Sequence, residues 1–364
     1  MSISFHQSQI RVSVSEIISE TETAPNLTAY EWLAWRFCRS WLTGQETFTL
    51  HTSGSTGTPK PVILTRQQMA ASARMTGRAL GLQPGDAALV NLNVQYIAGM
   101  MMLVRGLELG LDMTIIEAAA TPLAGFSMET GFDFQSYVPL QLQAILEQTP
   151  EKIPLLNRAK AILVGGAPMS LGLENRLQAV AAPIYQTYGM TETVSHVALR
   201  RVNGAERQGL YSALDTIFFS ADNRDCLVIH VPQLNPEPVI TNDVVELLSP
   251  TTFRWLGRAD NVINSGGVKV LAGKVEAAIE SVFARQNLKQ RFFVTGLPHP
   301  QLGEVITLIV EGEAFAPAIQ EAMLQAVAAL LARYEIPKNL FFISEFTETL
   351  TGKLDRNRII GRLR

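Results

Sequence analysis

Residues 52–60 read Thr-Ser-Gly-Ser-Thr-Gly-Thr-Pro-Lys and run into the apolar Val62-Ile63-Leu64. Gly54 and Gly57 carry no Cβ, so the backbone there can turn sharply and aim N–H groups at an anion. Ser53, Ser55, Thr56 and Thr58 add hydroxyl donors and Lys60 adds a positive charge, a set suited to a polyphosphate. The spacing is not that of a Walker A loop, in which Gly-Lys is followed directly by Ser or Thr, because Pro59 separates the last threonine from the lysine. The loop therefore indicates another class of ATP user. Its composition alone suits a solvated Ser/Gly/Thr linker equally well.

The elements around it decide which groups can meet. Arg66 to Leu80, Gly99 to Leu109, Leu140 to Gln148 and Leu171 to Ala181 have helical spacing. Between them Ala87 to Leu92, Met113 to Glu117, Ala161 to Val164 and Pro183 to Gln186 read as short strands. Such βα alternation predicts an α/β fold with a doubly wound, mostly parallel sheet, whose ligands gather at the carboxyl ends of the strands. Gly165-Gly166-Ala167-Pro168 and Tyr188-Gly189-Met190-Thr191-Glu192 follow two of these strands, where that rule expects a site. Gly165-Gly166 could also be a plain strand-to-helix turn, and Glu192, taken without its Tyr-Gly-Met-Thr context, reads as a carboxylate stabilised at a helix start.

From about residue 209 to 257 short alternating apolar runs predict an antiparallel β subdomain. A smaller α+β pattern follows, with helices at Gly273 to Arg285 and Pro317 to Tyr334 and strands at Gln290 to Gly296, Val305 to Glu311 and Phe341 to Ile343. These shifts divide the chain into an N-terminal domain, 1–258, and a C-terminal domain, 259–364. The run Met100-Met101-Met102 reads as helix core. Arg105, inside the same apolar helix, needs a partner if buried, and either Glu108 or a carboxylate of the substrate could serve.

With 364 residues and 47% hydrophobic content the chain can bury more than one core, since single cores stop growing near ~250–300 residues. A net charge of -3 gives no overall attraction to nucleic acid or anionic membrane. Two cysteines and five scattered histidines show no metal-ligand spacing. The start, Met1 to Val12, has no basic region followed by an apolar run, and Tyr96 to Leu111 is too short and too charged to span a bilayer, so a cytoplasmic protein without membrane insertion is expected.

The loop at 52–60, Tyr188-Gly189-Met190-Thr191-Glu192, Gly257-Arg258-Ala259-Asp260 and Thr351-Gly352-Lys353 together resemble, in order and spacing, the motif set of the adenylate-forming superfamily of acyl-CoA and aryl-CoA ligases, peptide-synthetase adenylation domains and luciferases. The resemblance spans essentially all of 50–360. Leu89 to Glu117 and the compact C-terminal part most resemble the o-succinylbenzoate-CoA ligases of menaquinone biosynthesis. Three departures stand out. Only 51 residues precede the loop, so part of the usual N-terminal subdomain is expected to be missing. Asn242 stands where a glycine is usual before Asp243, and Tyr96 stands where many members have a histidine guarding the acyl site.

The resemblance implies two half-reactions, in which a carboxylate attacks the α-phosphorus of ATP and the thiol of coenzyme A then displaces AMP. It implies that Ser53, Gly54, Ser55, Thr56, Gly57 and Lys60 hold phosphates, that Thr191 touches the α-phosphate and that Glu192 holds Mg²⁺. Gly165, Gly166, Ala167 and Tyr188 would form the adenine slot, with Asp243 and Arg258 at the ribose. Lys353 would be the catalytic lysine, although a lysine beside Arg356, Arg358, Arg362 and Arg364 could be one more charge of a basic tail. Asp260 would be the hinge of a mobile C-terminal domain that presents Gly266 and Gly267 to coenzyme A. Tyr96 and Arg105 would face the acid. The resemblance leaves a homodimer open.

Overall fold

The computed structural model describes residues 1–19, 26–51, 61–348 and 354–363. The loop at 52–60 and Lys353, with the roles expected of Ser53, Gly54, Ser55, Thr56, Gly57 and Lys60, therefore lie outside the described residues.

Most of the chain up to Arg258 is organised by one thirteen-stranded sheet. Its parallel part runs, in spatial order, Ile184–Gly189, Ala161–Val164, Phe134–Tyr137, Ala87–Val90, Asp112–Ile115 and Ser2–Phe5, with Ile10–Ser13 antiparallel at that edge. On the other side His196–Arg201, Tyr211–Ala213, Thr252–Arg258, Val239–Ser249, Cys226–His230 and Phe218–Ala221 continue it in antiparallel pairing. Among the inner parallel strands Ala161–Val164 is a short apolar run and Phe134–Tyr137 carries Gln135 and Ser136, yet both are buried throughout. A two-stranded hairpin of Thr47–His51 and Pro61–Thr65 flanks the loop at 52–60.

Pro61–Thr65 leads straight into the helix Arg66–Leu80. Thr65 accepts from the Gln68 N–H while the Gln68 side chain accepts from the Thr65 N–H, a reciprocal cap that sets where the helix begins. This helix packs on Ile97–Leu109, in which Met100, Met101 and Met102 are buried in the main core, as their reading as helix core requires.

A separate five-stranded sheet holds Val262–Ser265, Val268–Leu271, Phe292–His299, Gly303–Glu311 and Asn339–Ile343. The helix Ala272–Arg285 buries Val275, Ile279, Val282 and Phe283 against it, one face at helical spacing. Only the short turn Ala259–Asn261 separates the two sheets along the chain.

Several expected boundaries change, three of them for a reason the structure shows. Tyr188 and Gly189 lie inside a strand, because antiparallel pairing with His196–Arg201 extends it through Gly189. The helix expected over 171–181 is α-helical only for Leu171–Arg176 and closes as a tight turn, Leu177–Ala179. The helix from Pro317 stops at Ala328 despite its Ala/Leu-rich continuation. Past that point Glu335, buried, accepts from the Ala332 N–H and pairs with Lys274 at 2.5 Å, so a tertiary anchor overrides helix propensity.

Candidate active site

Asp243 and Arg258 face each other across the pair Val239–Ser249 and Thr252–Arg258. A register shift between Val244 and Val245 brings Trp255 round as well, so the indole Nε1 donates to Asp243 Oδ1 at 3.1 Å. The other oxygen accepts from the Tyr188 hydroxyl at 2.8 Å, and Arg258 Nη1 lies 3.6 Å from the carboxylate. Burial and the Asp243 charge push the Tyr188 phenol far up, which keeps its proton in place as a donor. The Tyr188 ring packs edge-on to Phe253 and against Tyr211. Each carboxylate oxygen has two lone-pair directions, so Asp243 retains acceptor capacity for a further pair of hydroxyls.

Gly165 closes the strand Ala161–Val164, with its N–H donating to the Tyr137 carbonyl. A Cβ on it would lie 2.2 Å from Thr187 Oγ1, so only glycine lets the two strand ends approach there. Gly166 and Ala167 are exposed beyond it. Thr191 and Glu192 sit on the next short turn, Thr191–Thr193; Thr191 is half-buried and Glu192 is exposed. Among the described residues no group of three or more His, Cys, Asp or Glu could hold a metal by itself. A single free carboxylate such as Glu192 fits Mg²⁺ bound chiefly through phosphate oxygens and water.

Asp260, in the turn joining the sheets, accepts from Arg258 Nη2 at 2.6 Å and from Asn242 Nδ2 at 3.0 Å. Asn242 in turn accepts from Arg224 at 3.1 Å. The residue in the usual glycine's place thus ties the connecting turn to the large sheet. Gly266 and Gly267, at φ +61° and +82°, make the two-residue turn between Val262–Ser265 and Val268–Leu271.

Arg105 is buried, and the expected partner Glu108 is not its partner. Glu108 faces outward along the helix to Arg74 at 2.9 Å and to Trp41 Nε1 at 3.2 Å. Arg105 instead donates through Nη2 to Ser195 Oγ at 2.7 Å and His196 Nδ1 at 3.3 Å, and through Nε to Thr76 Oγ1 at 3.3 Å. No carboxylate pairs with it among the described residues, and burial lowers its pKa to about 9, which still leaves it cationic at neutral pH. Tyr96 is exposed at the start of that same helix. Trp255, Thr76, Ser195 and His196 are absent from the reading of the motifs, and no spacing in the sequence announces them; Asn242 enters it only as a departure from the usual glycine, with no role.

Residues 8–220 match the AMP-binding enzyme family, more than half of the chain. The chain belongs to that family. It is 26% identical over 337 residues to a Geobacillus 2-succinylbenzoate–CoA ligase, covering 85% of this chain and 68% of that one. Among solved structures it is similar to the acyl-CoA synthetase (AMP-forming)/AMP-acid ligase II-like protein of Dyadobacter fermentans, at 43% identity and TM-score 0.64, with 97% of this chain and 99% of that one covered. The fold also matches the o-succinylbenzoate coenzyme A synthetase of Bacillus subtilis in complex with ATP and magnesium ion, at 21% identity and TM-score 0.70, over 86% of this chain and 69% of that one. Among the described residues no helix is long and apolar enough to cross a membrane.

Proposed function

We propose that the protein is an AMP-forming acid–CoA ligase whose acid is 2-succinylbenzoate, a dicarboxylate and an intermediate of menaquinone biosynthesis. The observation that carries the substrate is Arg105, a buried cation with no carboxylate beside it among the described residues. Uncompensated buried charge is costly, and the carboxylate that is not activated supplies the missing counter-ion. The similarity to a 2-succinylbenzoate–CoA ligase supports the same acid.

In the first half-reaction a carboxylate oxygen bonds to the α-phosphorus of ATP and the bond to pyrophosphate breaks; in the second the thiol of coenzyme A takes the acyl group and AMP leaves with the electron pair. The large sheet, with the chain from 1 to 258, forms the nucleotide and acid domain in this reading. Asp243, oriented by Tyr188 and Trp255, accepts from the ribose hydroxyls, with Arg258 beside them. Gly165, Gly166, Ala167 and Tyr188 take the adenine. Thr191 donates to the α-phosphate, and Glu192 is the protein ligand of Mg²⁺, which supplies charge neutralisation at the phosphates. Ser53, Ser55, Thr56 and Lys60 hold the β- and γ-phosphates, and Lys353 stabilises the charge that develops at the α-phosphate. Residues 259–364 form the mobile domain that turns about Asp260 and brings Gly266 and Gly267 to coenzyme A.

The test is a pyrophosphate-release and thioester assay with ATP, Mg²⁺ and coenzyme A across a panel of acids, with Lys353→Ala as control. Selective, Lys353-dependent turnover of 2-succinylbenzoate is expected. Selective use of another acid keeps the ligase chemistry and discards the substrate, and failure to release pyrophosphate with any acid on the panel overturns the enzymatic reading.

A further inference from the structure

Arg105 has five N–H donors. Nε and both hydrogens of Nη2 are taken by Thr76, Ser195 and His196, whereas the one hydrogen-bond partner of Nη1 among the described residues is the thioether of Met102 at 4.0 Å, a weak acceptor. Three donors are therefore anchored to the protein, and the Nη1 pair is left for a ligand.

The anchoring fixes the state of His196. A guanidinium cannot accept a hydrogen bond, so His196 Nδ1 must present its lone pair to Arg105, and the ring proton resides on Nε2. Nε2 then donates to Thr76 Oγ1 at 3.1 Å, and the Thr76 hydroxyl passes its own proton to the Ser72 carbonyl at 3.1 Å. Every polar atom of the Thr76 and His196 side chains is satisfied. The two side chains are fully or nearly fully buried, and burial together with the Arg105 charge holds the imidazole well below its ordinary pKa, so it stays neutral.

The backbone that delivers Ser195 and His196 is strained. Val194 has φ +67° and ψ -51°, and the Ser195 N–H donates to the Thr193 carbonyl at 2.7 Å, which makes a γ-turn of the rare positive-φ kind. A β-branched residue is an outlier in that conformation, and such strain persists where the surroundings over-determine it. Here the turn aims two successive side chains at one guanidinium. Gly189 gives them room, since a Cβ on it would lie 2.3 Å from the Ser195 carbonyl oxygen and 2.5 Å from His196 Cα.

From this geometry we infer that His196 is a positioning residue for acid selection: as a neutral acceptor bridged to Thr76, and delivered by the γ-turn at Val194, it holds Arg105 with Nη1 turned to the carboxylate that is not activated. The inference rests on the proposed dicarboxylate substrate.

Its test compares His196→Leu, which removes the acceptor at similar size, with His196→Gln, which restores one. Adenylation is followed with 2-succinylbenzoate and with its analogue in which the second carboxylate is a neutral amide. His196→Leu is expected to raise KM for the dicarboxylate about tenfold, the scale of one charge-assisted hydrogen bond, while leaving kcat, KM for ATP and the amide analogue unchanged. His196→Gln is expected to restore most of the loss. Equal loss for both acids, or no loss in His196→Leu, overturns the assignment. A second arm is independent of the acid: ¹⁵N shifts of His196 in the wild-type protein at neutral pH are expected to report a bare Nδ1 and a protonated Nε2, and the reverse tautomer overturns the role. If the wild type turns over a different acid, the substrate reading fails while the tautomer measurement still decides for or against His196.

Discussion

Asp243 is gripped by donors from two other strands, the Tyr188 hydroxyl and the Trp255 indole, with Arg258 just outside hydrogen-bond reach. Two neutral donors orient the carboxylate, so that in the proposed reading a ribose diol would meet a pre-aligned acceptor. Asp243→Asn replaces one acceptor oxygen with donors that oppose both Trp255 and the incoming hydroxyls. KM for ATP is expected to rise by about tenfold, in line with the loss of a charge-assisted hydrogen bond, while KM for the acid is unchanged; initial-rate measurements with each substrate varied in turn check this. An equal rise in both constants would place Asp243 in the architecture alone. Asp243 was legible as a candidate because Thr241-Asn242-Asp243 resembles a family segment that ends in an aspartate. Trp255 was not, since its contact depends on a register shift between paired strands that no local pattern encodes. His196 was hidden for a related reason: it meets Arg105 across 91 positions of sequence by way of one strained residue.

At the scale of elements, the short turn Ala259–Asn261 carries the connection between two sheets, and its Asp260 is held from one side by Asn242 and Arg258. The Asp260 N–H makes no hydrogen bond among the described residues, so a proline there deletes no bond and chiefly fixes φ near -65°. Asp260→Pro is therefore expected to leave acyl-adenylate formation within about threefold of wild type and to slow thioester formation by at least about tenfold, the mark of a blocked rearrangement. Single-turnover measurement of both half-reactions checks this, and parallel loss in the two would refute a hinge at Asp260. Ala87–Val90 and Ala161–Val164 were readable because they are continuous apolar runs, whereas Phe134–Tyr137 between them was missed, since its Gln135 and Ser136 break the apolar run. The strand Ser2–Phe5 was not readable, because the alternation Ser-Ile-Ser-Phe becomes a strand only when Asp112–Ile115 on one side and Ile10–Ser13 on the other offer it partners. The helix from Pro317 was overextended for the opposite reason, since its local propensity continues past the point where Glu335 anchors the chain.

At the scale of the whole molecule the two sheets touch through the helices Leu171–Arg176 and Ala272–Arg285, and Glu280 on the second accepts from the Leu171 N–H of the first at 2.7 Å. Burial in that contact raises the Glu280 carboxyl from 4.5 to about 7; the Leu171 N–H partly opposes this, while the nearby carboxylates Glu174 and Glu276 reinforce it. Those two are themselves paired, Glu174 with Arg200 and Arg207 and Glu276 with Arg356. Separating the sheets returns water to Glu280 and lets its pKa fall back towards 4.5, so docking takes up a proton. The sign follows from the raised value: the contribution to docking is fully present below about 4.5, is lost as pH rises through the interval to about 7, and is absent above it. The small sheet's domain should therefore be released more readily at pH 8 than at pH 5.5. Glu280→Gln keeps an acceptor oxygen for Leu171 and removes the titration. Small-angle scattering across that range is expected to show the wild-type radius of gyration growing with pH and the Glu280→Gln radius staying constant. The same growth in both proteins would mean that another group governs the contact, and no growth in either would mean that the docked arrangement does not open in solution over this range.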